Sequence, residues 1–146
     1  MAISRDKIAD LRAKELEMLQ AVIARLANYG ATLKNYCATL TTASAGVALT
    51  LQRPAAIFLA LFPILICAVL DAQYLRNERR FRRLYHNFRK QDWATMPTFN
   101  ITLSGAPHEK YLSAFFSWSV AAFYGPLSLA VLVVAILARY VYGTFL

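Results

Sequence analysis

The residues in this chain best able to do chemistry with a ligand are five cations on one helical face, Arg76, Arg79, Arg80, Arg83 and Lys90. They lie in a stretch running from Asp71 to Trp93, where seven bases and a single acid, Glu78, fall between Arg76 and Lys90. Wound at about 100° per residue, the five cations gather opposite a greasy wall of Tyr74, Phe81, Leu84, Tyr85 and Phe88. Such a face attracts anions, and the candidates are lipid headgroups and an oligonucleotide or nucleotide.

Other chemistries lack their residues. The sequence has no glycine-rich phosphate loop, no paired His/Cys ligand set, no HExxH and no nucleophile elbow. His86 falls on the polar flank of the basic helix and His108 in a loop, neither with a partner at ligand spacing. Cys37 and Cys67 sit inside apolar segments and read as small buried hydrophobes rather than as a disulfide or palmitoylation site. No enzyme activity, metal or cofactor is expected.

The elements that must hold the basic face are greasy. With 146 residues, 58% of them hydrophobic, the chain is one domain and too apolar for an ordinary soluble fold. The expected class is an all-α integral membrane protein. The net charge of +8 is a patch and not a background, since the 71–110 region carries eight bases against four acids and seven of those bases share one helix. Charged residues from Arg5 to Glu17 interrupt any apolar run near the start, so no cleavable signal sequence is expected.

Taken in order, the pattern predicts a cytosolic amphipathic helix over 6–28, with Arg12 and Glu15 intruding on its apolar stripe. Those two read either as a polar contact at a subunit seam or as a simple surface pair. A first span is expected over 35–52, eighteen uncharged residues between Lys34 and Arg53. Asn35, Thr39, Thr42, Gly46 and Thr50 form one stripe on it, which means close helix packing or a pore lining.

Pro54 then suits the first turn of a second span over 54–75, joined to the first by a tight turn carrying Arg53 and kinked at Pro63. Asp71, at its inner end, is placed to pair with Arg76 or with Lys34 of the hairpin partner. The basic helix continues that span over 76–93. A loop with an edge strand around Phe99, Ile101 and Leu103 is expected over 94–110, and a third span over 113–138, bent at Gly125-Pro126. Ser113, Ser117, Tyr124 and Ser128 give the third span its own polar stripe.

Bases flank the spans unequally. Six lie in the first 34 residues and eight in the 71–110 connection, against one in the hairpin turn and one after the third span. The amino terminus and the basic helix are therefore expected in the cytosol, and the carboxyl terminus outside. Asn100-Ile101-Thr102 matches a glycosylation sequon but falls on the cytosolic side.

The run Leu-Asp-Ala-Gln-Tyr-Leu-Arg-Asn-Glu-Arg-Arg-Phe-Arg-Arg-Leu-Tyr (70–85), with Glu-Met-Leu-Gln-Ala-Val-Ile-Ala-Arg-Leu-Ala-Asn (17–28) before it, resembles small bacterial inner-membrane proteins. The chain looks like the SLATT-type two-span effectors of anti-phage defence, and most like the membrane component of the Hailong system. That resemblance implies a homo-oligomeric ion channel, preferably a tetramer, with a nucleotidyltransferase partner whose DNA oligomer product is held by Arg76, Arg79, Arg80, Arg83 and Lys90. The third span departs from the two-span pattern. The competing expectation is a non-conducting scaffold or accessory subunit whose polybasic helix grips anionic lipid.

Overall fold

The computed structural model of the protein describes residues 4–52 and 54–142. Among these every regular element is helical. The first, α1 (Arg5–Thr50), is a single helix of 46 residues, about 69 Å at 1.5 Å per residue. It fuses the expected amphipathic helix and first span. Gly30 does not end it, because that position serves another purpose: a Cβ there would lie 2.8 Å from Asp71 Oδ1. Glycine leaves room there for the Asp71 carboxylate.

After the turn, whose Arg53 lies outside the described residues, the chain resumes as a 3-10 helix (Pro54–Ala60) that passes into α2 (Leu61–Lys90). Pro63 stands in the first turn of α2, just after the change of helix type, where proline is tolerated. No breaker follows, so the apolar and basic halves of α2 form one element. Gln52, with φ of 53°, provides the left-handed residue just past α1.

The third apolar segment departs from expectation at its start. It opens with a short helix, α3 (Tyr111–Phe115), breaks at Phe116–Ser117, and continues as α4 (Trp118–Tyr142). Gly125-Pro126 lies inside α4 without ending it. The 94–110 connection has no strand; it contains one 3-10 turn, Leu103–Gly105.

Two helical segments are long and apolar enough to cross a membrane, Ala55–Lys90 and Trp118–Val141. The expected first span, 35–52, is not among them, because its Thr, Ser and Asn residues dilute its hydropathy. Where α1, the 3-10 helix, α2 and α4 meet, the core mixes large side chains, Ile57, Ile64 and Tyr124, with many small ones, among them Cys37, Ala48, Ala60, Ala68, Ala72 and Ala135. Small residues let helix backbones approach closely. The outward faces carry large apolar side chains, among them Leu59, Phe62, Leu65, Leu129 and Ile136, all more than half exposed.

A second, smaller cluster lies at the other end, where Leu19 of α1 and Leu84 of α2 are buried with Ala106. Ile101 and Leu103 of the connection and Phe81, Tyr85 and Phe88 of α2 all pack against that cluster. The 94–110 segment is thus a strap laid across α1 and α2. Its short alternation of apolar residues, read as an edge strand, is the strap's contact with the greasy wall.

Candidate anion site and polar face

The strap is fixed by buried charge on one side. Arg12 is 4% exposed, and its guanidinium donates to Thr95 O (2.9 Å), Gln91 Oε1 (2.9 Å) and Asp92 O (3.2 Å). Glu15, 3.9 Å from Arg12, accepts from the Phe99 N–H at 2.8 Å. Phe99 has φ of 51°, a conformation uncommon for a bulky side chain and held here by that hydrogen bond. Neither expected role of Arg12 and Glu15 holds: they are a buried seam within one chain, because both sides of that seam are supplied by α1 and residues 91–99.

On the other side the strap meets the cations. Arg76 Nε donates to Glu109 O at 2.9 Å, and Arg80 to Leu103 O at 2.8 Å. The Glu109 carboxylate lies between two more guanidinium groups, pairing with Arg79 at 3.4 Å through one oxygen and with Arg83 through the other. Arg79 also reaches Ser113 O. Glu109 is 6% exposed, while the Arg79 and Arg83 side chains remain 33% and 46% exposed. Four of the five expected ligand residues therefore converge on one short stretch of this same chain. Lys90, on the same helical face but about 10 Å further along the axis, is exposed and has no ion-pair partner among the described residues.

The off-face bases behave differently. Arg82 pairs with Glu78 one turn back, at 2.6 Å. The greasy wall is covered from within: Tyr74 stacks on Tyr29 with ring centroids 5.6 Å apart, and the Tyr85 hydroxyl accepts from Gln20.

Where α2 changes from apolar to basic, Lys34 Nζ lies 2.8 Å from Asp71 Oδ2 and 3.4 Å from Ser119 Oγ. Of the two partners weighed for Asp71, the pairing is with Lys34. This pair, buried on its Asp71 side, ties the three long helices together at one level, beside a cleft of about 310 Å³.

Past that level the two polar stripes part ways. Of the stripe on the third apolar segment, Ser113 is exposed, Ser117 at the break and Tyr124 on α4 are buried, and Ser128 is partly buried. On α1 every member of the other stripe, Asn35, Thr39, Thr42, Gly46 and Thr50, is exposed. The hydroxyls of Thr39, Thr42 and Thr50 donate to the carbonyls of Asn35, Ala38 and Gly46, all four residues back. Nothing lies within 4 Å of where a Gly46 Cβ would stand. The buried side of α1, marked by Cys37, Thr41 and Ala48, is the one that packs in the bundle.

Sequence reasoning missed Glu109, the acid on which the arginines converge. The only signal was its place as the lone acid between Asp92 and the third apolar segment. Compared with family models, curated proteins and solved structures, the chain matches none.

Proposed function

We propose that copies of this chain assemble in a bacterial inner membrane into an ion channel, with the amino terminus and basic helix in the cytosol and the carboxyl terminus outside. In this reading α1 (over 35–50), the Ala55–Leu75 region and α4 are the three crossings, and the arginine face takes a polyanion that biases the gate. Its setting, following the resemblance, is an anti-phage effector acting beside a nucleotidyltransferase that makes a DNA or nucleotide oligomer.

The observation that carries the reading is the exposed stripe Asn35, Thr39, Thr42, Gly46 and Thr50. Hydroxyls bonded to their own helix leave their oxygen lone pairs pointing outward, so the stripe offers acceptors that water or ions can use. A single copy with three crossings cannot enclose a water path, so conduction requires several copies around an axis. The scaffold reading would lay Phe81, Tyr85 and Phe88 among headgroups, whereas these side chains pack against Leu19 and the strap.

Purified protein reconstituted in vesicles should pass ions. In a background carrying Cys37→Ala and Cys67→Ala, Thr42→Cys should be blocked by a water-soluble thiol reagent while Leu40→Cys, on an exposed flank of the same helix, is not. Vesicles that stay tight both with and without an added oligodeoxynucleotide, or equal block at both positions, would defeat the channel.

A further inference from the structure

Glu109 is the only carboxylate that meets the arginine face among the described residues, and it is placed where a phosphoryl group would be held. Arg79 and Arg83 each pair with one of its oxygens, and Arg76 holds its backbone carbonyl. Three guanidinium groups against one carboxylate leave the cluster about two charges short of neutral. The two that bind the carboxylate are also the ones still partly open to solvent. A carboxylate offers two oxygens and one charge, whereas a phosphodiester backbone offers oxygens and charge at every residue and matches the guanidinium fork equally well.

We infer that Glu109 is a resident competitor: an internal anion that occupies the phosphate site of this face and must leave before a polyanion can bind. This rests on the polyanion reading above and adds its regulation. The strap that carries Glu109 also holds Arg80 through Leu103 O and α1 through Phe99 and Thr95. Displacing the acid therefore loosens the link between the extramembrane parts of α1 and α2. Affinity is scaled down by the fraction of molecules in which Glu109 has left the site.

The probe is an eight-residue thymidine oligodeoxynucleotide, titrated into full-length protein in detergent at low salt. Glu109→Gln, which keeps shape and removes charge, should bind about tenfold more tightly than wild type if the site is free about a tenth of the time. Glu17→Gln removes the same charge from an exposed position on α1 and should change affinity little; an equal gain there would reduce the effect to net charge and overturn the inference. Because Glu109→Gln can also loosen the strap, the wild type gives a second readout: saturating oligonucleotide should speed amide hydrogen exchange over 99–109, and unchanged exchange overturns the inference. If the wild type binds, Arg79→Glu/Arg83→Glu does not, and Glu109→Gln matches the wild type, the competitor is wrong and the polyanion reading stands. If neither wild type nor Glu109→Gln binds, the polyanion reading itself fails.

Discussion

The two halves of α1 solve the same problem differently. Before Gly30, polar side chains that enter the helix's inner face are satisfied by distant parts of the chain: Arg12 by Gln91, Asp92 and Thr95, and Glu15 by Phe99. After Lys34, the hydroxyls are satisfied by the helix itself, and the stripe they form faces away from the bundle. One half is finished within a single copy of the chain. The other has the hydrogen bonds of its polar stripe made within the helix and that stripe uncovered.

Mutations can break that contrast or sharpen it. The largest expected effect is at the finished half. Glu15→Ala leaves Arg12 buried without its acid and frees the Phe99 N–H, costing about 3 kcal/mol. Denaturant unfolding in detergent measures this, and chymotrypsin should then cut the strap near Trp93 and Phe99. A loss below about 0.5 kcal/mol, the scale of a surface pair, would mean the half is not closed by that seam.

An intermediate effect belongs to the boundary between the halves. Gly30→Ala gains about 1 kcal/mol of helix propensity but puts a methyl group 2.8 Å from Asp71 Oδ1, so the acid must move off Lys34. We expect a net loss of about 1 to 2 kcal/mol in thermal unfolding, since a displaced buried carboxylate outweighs the propensity gain. Adding Asp71→Asn should recover little of it, because Lys34 then stands alone. Net stabilisation by Gly30→Ala would show that the crossing yields easily. The smallest effect is at Glu78→Gln, which breaks a pair whose Arg82 side chain is 63% exposed and should cost about 0.4 kcal/mol. A clearly larger loss there would extend the finished region to the outer flank of α2.

Much of this architecture is legible in the sequence. The apolar runs ending at Leu70 and Ala138 predict helices of that placement, and the absence of a breaker after Leu70 predicts that the basic residues continue α2. The pairing of Lys34 with Asp71 follows from joining two helices by a short turn. Three features do not follow. Gly30 reads as a stop because glycine disfavours helix, and only the approach of Asp71 explains why it is tolerated. The break at Phe116–Ser117 has no proline or glycine to announce it. The docking of the strap depends on pairs about 80 residues apart, such as Arg12 with Thr95, which leave no periodic trace. Ile101 and Leu103 show a contact pattern, but not what they contact.

The unbroken course of α1 has a mechanical consequence. A rod without a joint cannot absorb displacement midway, and the contact of Gly30 with the Asp71 carboxylate falls near its middle. The arms on either side, from Arg5 to Gly30 and from Gly30 to Thr50, are about 37 Å and 30 Å. If α1 tilts as a unit, a push at the strapped end therefore reappears at the far end nearly undiminished and in the opposite sense.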